Sequence, residues 1–237
     1  MEYEIVELKE KIVEGVEIIT TNQNGKSLQD IAEMWQKFFT EGIYNKIENK
    51  SNNKTIGLYT EYEGDYTKPY KFIVCSEVKK ESQNLENRVI KTIQEGKYAK
   101  FVITGDVQKS VGEAWDKIWN MDLKRKYTCD FEEYSIGMGN GQPTDVAIYV
   151  ALADFCQSCG MPMTEASQYG TNADGTRNTD YCRYCYQNGA FLADCTMEQM
   201  VDFCLDVEKD SGRYTDRAEA KRAMLSWFPE LKRWKEK

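Results

Sequence analysis

Four cysteines fall into two matched pairs, Cys156 with Cys159 and Cys182 with Cys185, in the pattern C-x2-C-x22-C-x2-C. Thiols three positions apart on a tight turn point at one centre. Two such turns supply four sulfurs in a tetrahedron, the arrangement that zinc favours. The same spacing is open to disulfides, to a redox pair or to iron. Four thiolates would close the coordination sphere, and the chain contains no histidine, so a catalytic zinc with an open position is disfavoured. The surrounding segment is only about 40 residues, too short to bury a self-sufficient core, so it needs a staple. One structural zinc ion is the leading expectation. Cys75, Cys129, Cys195 and Cys204 lack paired spacing and read as small buried hydrophobes.

A second candidate is the stretch CDFEEYSI, residues 129–136. In an extended strand Cys129, Phe131 and Glu133 lie on one side, and Asp130, Glu132 and Tyr134 on the other. A carboxylate among aromatic rings can hold a cation by charge while the rings hold a flat apolar body. The bland alternative is the solvated face of a half-exposed antiparallel strand. Trp35, Trp115 and Trp119 lie on helical faces and read first as core; Trp35 and Trp115, at matched positions near the expected axis, are also cleft-wall candidates, and Tyr59 and Tyr70 are further ones. If the protein is an enzyme, Glu132 would activate water or protonate a leaving group with Tyr134 assisting. A Ser–His or Cys–His pair is excluded by the absence of histidine.

The elements that would position these residues are legible as a repeat. Residues 3–21 alternate and are rich in Val and Ile, which predicts strand. Residues 27–39 change to a helical period, with Leu28, Ile31, Ala32, Trp35 and Phe39 on one face and Ser27 with Asp30 as a capping box. Strand-like runs follow at 55–62 and 70–78. The order then recurs: strand-like 88–107, helix-like 110–121 with Ser110 and Glu113 as a second box, and strands at 129–136 and 145–154 around a Gly-rich turn at 137–144. Trp115 takes the place of Trp35. The expectation is a β-α-β-β unit used twice, the two copies pairing about a pseudo-twofold axis with a cleft between them. After Asp154 the composition turns short, Gly/Asn-rich and cysteine-bearing. Two helices are expected at 196–210 and 216–228, the second stopped by Pro229, followed by a basic tail. The division is thus 1–154 and 155–237, and the fold class α+β.

The chain has 237 residues, 41% hydrophobic and 30% charged, and carries a net charge of −8. The first part holds 20 basic against 26 acidic residues and the second 11 against 13, so neither is basic. Nucleic acid is therefore not the expected partner, and Lys232, Arg233 and Lys235 read as a solvated helix end. The charged N-terminus is not a signal peptide, and no apolar run approaches the roughly 20 residues of a membrane helix. Cytoplasmic localisation follows as the default, and reduced thiols there weaken the disulfide reading.

Several motifs resemble known families. The stretches CQSCGMPM, YGTNADGTRNTDYCRYCYQNGAF and FPELKRW, spanning about 156–234, are similar to a bacterial zinc-ribbon family, which implies the metal and says little about activity. The stretches EGKYAKFVITGDV, AWDKIWN, DFEEYS and IGLYTEYEGDYTKPYKFIVC resemble the GyrI-like, or AraC-type, effector-binding domain over nearly all of 1–154. That resemblance implies a duplicated β-α-β-β fold with a ligand cleft between the halves. It also implies a glutamate at the cleft floor, which falls on Glu132. Members of that family include effector and drug sensors fused to DNA-binding domains, stand-alone binders of lipophilic cations, a gyrase inhibitor, and hydrolases of cyclopropane-bearing toxins. The first strand is expected to begin near Tyr3, so the helix-turn-helix of the DNA-binding relatives is not expected in front of it. The implied function is binding of an amphipathic, cationic or planar small molecule, in transcriptional regulation or in drug and toxin resistance. The alternatives are a hydrolase using Glu132 and an adaptor that docks a protein partner.

Overall fold

The structure is a computed structural model that describes residues 1–82, 85–104, 107–136 and 143–235. It divides into two compact units, Met1–Leu152 and Ala153–Lys237.

The first unit runs β1 (Glu4–Leu8), β2 (Lys11–Thr20), α1 (Lys26–Thr40), the short α2 (Ile43–Lys46), β3 (Thr55–Thr60), β4 (Tyr70–Glu77), β5 (Val89–Ile93), β6 (Gly96–Ile103), α3 (Val107–Trp119), β7 (Cys129–Ile136) and β8 (Pro143–Ala151). All eight strands form one sheet in the order β1-β6-β8-β7-β3-β4-β2-β5, with every pairing antiparallel. Exchanging β1–β4 for β5–β8 reproduces that order, which is the expected twofold repeat, with its axis between β3 and β7.

The repeat is larger than the sequence suggested. Residues 3–21 make two strands, as do residues 88–107. A single alternating run cannot reveal that its ends choose different partners, because partner choice is a matter of tertiary contact. Here β1 pairs with β6 of the second half, and β5 with β2 of the first. The two outer strands are exchanged between the halves. The turn expected at 137–144 lies, through residue 142, outside the described residues.

Alternation then builds two cores. Tyr70, Phe72 and Val74 of β4, with Val16 of β2, face α1 and bury Met34 and Phe38. Phe101 of β6 and Ile148 and Val150 of β8 do the same for Ala114, Trp115 and Ile118 of α3. The opposite face of the sheet collects Val13, Ile56, Leu58, Ile73, Cys75, Tyr98, Cys129 and Phe131 into a core of their own. Phe38, Phe72, Phe101 and Phe131 are fully buried, each contributing about 1.5–3 kcal/mol of hydrophobic stabilisation.

The helix starts differ from expectation. Helix α1 begins at Lys26 behind Gly25, whose φ of 68° is left-handed, so Ser27 lies inside the helix and caps nothing. Asp30 instead accepts from Thr20 Oγ1 at 2.5 Å and pairs with Lys26. Likewise α3 begins at Val107, which places Ser110 within it. The buried row of α1 is Ser27, Met34 and Phe38, while Leu28 (76% exposed), Ala32 and Phe39 (48% exposed) face outward.

The second unit runs β9 (Asp154–Phe155), β10 (Pro162–Met163), β11 (Tyr169–Thr171), β12 (Arg177–Cys182), β13 (Tyr186–Gln187), β14 (Ala190–Phe191), α4 (Met197–Glu208) and α5 (Arg217–Trp227). The strands form three two-stranded ribbons. Thr196 and Gln199 make the capping box of α4, and Asp216 caps α5 by accepting from Ala218 and Glu219. Met163, Met200, Val201, Leu205, Phe228 and Leu231 pack around the cysteines. The basic tail is docked through Arg233 and Trp234, while Lys232 and Lys235 are solvated as expected. Trp234 Nε1 donates to the Ser158 carbonyl at 2.7 Å, Arg233 donates to the Ala193 carbonyl at 2.6 Å, and Lys232 pairs with Asp180.

Gly15 tests the sheet. It lies opposite both Cys75 and Val89, and a Cβ there would stand 2.0 Å from the Val74 carbonyl oxygen and 2.6 Å from Cys75 Cα. Both neighbours are backbone, so they cannot move aside cheaply. Gly15→Ala is expected to cost at least about 2 kcal/mol in urea unfolding; a change below about 0.5 kcal/mol would show that the strands can separate there without penalty.

Candidate functional site

Glu132 sits on β7 directly opposite Gly57 of β3, at the seam between the two halves. It is 2% exposed. A carboxylate with no partner at that depth would be very costly, and three donors meet it. Tyr59 Oη and Trp115 Nε1 donate to Oε1 at 2.7 and 2.5 Å, and Tyr134 Oη donates to Oε2 at 2.6 Å. Burial pushes the Glu132 carboxyl above its ordinary value, and the bonds from Tyr134, Trp115 and Tyr59 oppose that shift. Burial, reinforced by the charge of Glu132, raises the Tyr59 and Tyr134 phenols well beyond their ordinary values, so both remain donors.

Each donor comes from a different element: β3, α3 and β7. Gly57 makes the approach feasible, since a Cβ there would stand 3.2 Å from Glu132 Oε2 and from the Phe72 ring. Oε1 receives two hydrogen bonds and Oε2 one, leaving an acceptor position on Oε2.

The rings around the carboxylate belong to both halves. Trp35 of α1 meets Tyr134 edge-on at 5.1 Å and lies nearly parallel to Phe39 at 6.2 Å. Tyr59 contacts Trp115 at 5.2 Å and Tyr70 at 5.7 Å. Burial pushes the Tyr70 phenol up to about 12, and Tyr70 Oη donates to Asn22 Oδ1 at 2.7 Å. Thus Glu132, Tyr134, Trp115 and Tyr59 are in direct contact, and Trp35 and Tyr70 extend the same cluster by one ring. Phe39 continues it along α1 through its contact with Trp35. Glu133 points to the other face, where Lys54 and Lys11 donate to it at 2.5 and 3.4 Å.

A neighbouring cluster escaped sequence reading. Asp130, two residues before Glu132 on the same strand face, is fully buried. It accepts from Arg125 Nη2 at 2.6 Å, Tyr62 Oη at 2.8 Å and the Ala151 amide at 2.8 Å. Arg125 lies in the run LKRKY, which looks like a solvated charge run. Its only local signal is Tyr127, two residues on, whose ring lies 4.4 Å from the guanidinium carbon.

In the second unit, Cys156 and Cys159 occupy the turn between β9 and β10. Cys182 ends β12, and Cys185 precedes β13. The Gly160 amide donates to the Cys156 carbonyl at 2.8 Å, four residues back, and the Cys185 amide to that of Cys182 at 3.0 Å, three residues back, so each turn is closed by a backbone hydrogen bond. Gly160 has φ of 73° and approaches Trp227 so closely that a Cβ would stand 2.2 Å from the indole.

The four Sγ atoms lie within 4.8 Å of one another. Cys159 and Cys182 Sγ are 3.7 Å apart, close to the edge of about 3.8 Å that follows from Zn–S bonds of about 2.3 Å in a tetrahedron. The Cys182 amide donates to Cys156 Sγ at 3.2 Å, which suits a thiolate. Hydrogen bonds from Cys159, Cys182 and Cys185 hold the Cys156 thiol far below its ordinary value. The donor set therefore fits a thiophilic dication. No disulfide joins cysteines among the described residues. Cys75 and Cys129 are buried as expected, whereas Cys195 and Cys204 are only half-buried. The Cys204 thiol donates to the Cys159 carbonyl at 3.7 Å, and the Arg233 guanidinium to Cys195 Sγ at 3.6 Å.

Residues 4–152 match the family model described as "Integron-associated effector binding protein", and residues 155–235 that of the "Putative zinc ribbon domain". An integron cassette protein from the mobile metagenome of Vibrio cholerae has 29% identity and a TM-score of 0.52, over 63% of this chain and 95% of its own. The protein SAV2435, in a structure with tetraphenylphosphonium bound, has 20% identity and a TM-score of 0.54, over 64% of this chain and 94% of its own. At 20% identity that likeness shows the fold alone. No curated protein matches the chain.

The three donors to Glu132 favour its ionised form. Replacing one, as in Tyr59→Phe, is expected to raise the carboxyl further, read by carbon NMR titration of labelled glutamate. An unchanged titration would mean that the donor does not support the charge.

Proposed function

The chain belongs, over its first unit, to the integron-associated effector-binding protein family, and on that premise we propose that this unit is a receptor for amphipathic cationic or planar small molecules. The ligand's charge would rest against Glu132, and its apolar body against Trp35, Tyr59, Tyr70, Trp115 and Tyr134. The observation that carries this reading is a buried carboxylate kept ionisable by three donors inside an aromatic cluster drawn from both halves. Water is largely excluded there, so charge pairing is stronger than at a surface, and the polar rings already hold the acid in place. A lipophilic cation exchanges little hydration for this site. The tetraphenylphosphonium bound to the structural neighbour SAV2435 is a ligand of that class.

We further propose that residues 1–154 form the binding domain and 155–237 a zinc-ribbon domain. In the latter, Cys156, Cys159, Cys182 and Cys185 would hold one structural zinc ion. The ion would supply the positive charge that four clustered thiolates require and would couple metal binding to folding. Unpaired thiols suit the reducing cytoplasm. No helix among the described residues is long and apolar enough to cross a membrane.

Binding is tested by tryptophan fluorescence, using tetraphenylphosphonium and neutral triphenylphosphine oxide. Glu132→Gln should weaken the cation at least tenfold, or about 1.4 kcal/mol, and leave the neutral compound within about twofold. Equal losses for both would remove charge pairing from the account. The burial-raised Glu132 carboxyl also sets a pH dependence. Cation affinity should be full where Glu132 is ionised and fall as the pH drops through its folded value. That fall should occur at a higher pH than the ordinary glutamate value of 4.5 would produce. A flat profile would count against Glu132 as the counter-charge.

Elemental analysis of the purified chain should find one zinc per molecule, and Cys182→Ser should abolish it. Iron in its place, or no metal at all, would overturn the assignment.

A further inference from the structure

Arg125 is a buried charged group that the Glu132 reading does not use. Its side chain is 4% exposed. Its backbone is pinned beside the end of β8, through the bridge to Leu152 and the bond from the Lys126 amide to the Ala151 carbonyl at 2.7 Å. Asp130 takes one corner of the guanidinium, Nη2. The other two nitrogens, Nε and Nη1, are buried and find no hydrogen-bond partner among the described residues.

What surrounds them is aromatic. The guanidinium carbon lies 4.4 Å from the Tyr127 ring centroid, 5.9 Å from that of Trp115 and 6.0 Å from that of Tyr66. Rings can stack on the face of a guanidinium, but they offer no oxygen to its edges. Asp130 accepts from Arg125 and Tyr62 at Oδ2 and from the Ala151 amide at Oδ1, and of the guanidinium it meets only Nη2. Its ion pair therefore holds the guanidinium in place without using the remaining donors. Buried donors in native proteins are almost always met, so unmatched ones mark a place where an acceptor belongs.

The position relates these donors to Glu132. Asp130 and Glu132 project from the same face of β7 two residues apart, a spacing of roughly 7 Å. Trp115 lies between the two charges, donating to Glu132 and lying beside Arg125.

We propose that the ligand of this cleft carries an oxygen acceptor, a carbonyl or carboxylate, roughly 7 Å from its cationic centre, and that Arg125 Nε and Nη1 receive it. This rests on the cleft reading given above. The ligand class narrows from lipophilic cations in general to amphipathic molecules with a positive end and an acceptor end. Tyr66, on the connection between β3 and β4, lies over the guanidinium and stacks on Trp119 at 5.2 Å with an interplanar angle of 7°. The incoming oxygen displaces this ring.

A matched pair of probes separates the two ideas: butyltriphenylphosphonium, and its (4-carboxybutyl) analogue with an acceptor on a tether of similar reach. Calorimetry on the full-length protein should show the carboxylate probe binding at least tenfold tighter than the butyl probe. Arg125→Lys keeps a charge beside Asp130 but loses the planar donors, and should reduce the preference below threefold. A nitrogen NMR signal from Arg125 Nε in the wild type should shift with the carboxylate probe and stay in place with the butyl probe. That readout needs no variant and stands if Arg125→Lys does not fold. Equal affinity for the two probes, with no shift of the Arg125 signal, overturns the acceptor subsite and leaves the cation cleft intact. Binding of neither probe overturns both.

Discussion

A carboxylate buried between two halves of one sheet is the constraint that organises the first unit. An isolated charge at that depth would neutralise itself or unfold its surroundings. At Glu132 that cost is opposed by three donors, a tyrosine from one half and a tryptophan and a tyrosine from the other, which converge on it. Each donor demands something further. Trp115 must face the sheet, which fixes the rotation of α3. Tyr59 must project to the helix side of β3, which fixes the register against β7. Gly57 must lack a side chain. Dismantling any of these would leave a buried charge short of partners, which is why so many otherwise ordinary core positions around it are aromatic with a polar tip.

The same logic runs through Asp130, where the ion pair with Arg125 is fully enclosed. Two charged centres on one strand face would be hard to justify as stability devices, since well-packed apolar residues often do as well or better. They are easier to understand as a polar pattern inside an apolar box. In the second unit the solution is different. Four thiols, closed turns and a docked terminal tryptophan hold together a region whose strands are only two to six residues long. There, cross-linking at a point replaces the extended hydrogen-bond ladders of the sheet.

The sequence made some of this legible and hid the rest for identifiable reasons. The cysteine spacing was readable because turn geometry converts directly into position. Strand alternation placed Glu132 beside Tyr134 and away from Phe131, as the sheet does, but alternation alone fits a solvated face equally well, and it was the family resemblance that singled Glu132 out. The division of residues 3–21 into β1 and β2 was not, since both pieces share one alternation and differ only in distant partners. The face of α1 was misjudged for a related reason. Leu28, Ala32 and Phe39 form as good a helical stripe as Met34 and Phe38, and only the sheet decides which row is covered. Arg125 was hidden in a lysine-rich run whose neighbours are solvated. The terminal Arg233 looked as solvated as Lys232, which is exposed, but the aromatic rings of Phe191 and Trp234 draw Arg233 inward.

The exchange of β1 and β5 bears on how the chain acquires its structure. Neither half owns a complete set of strands: the outermost ladder of each is supplied by the other, across some 90 residues of sequence. Such distant pairings delay closure of the sheet and tie its completion to the arrival of both segments. A polypeptide released only through β4 would therefore present the unoccupied edge of β2 to its surroundings, with β1 as an unused strand. Two separately made halves would recognise each other by strand donation before any ligand was present. The topology is that of an interlocked dimer written into one chain, and its cooperativity follows from the interlock as much as from the core.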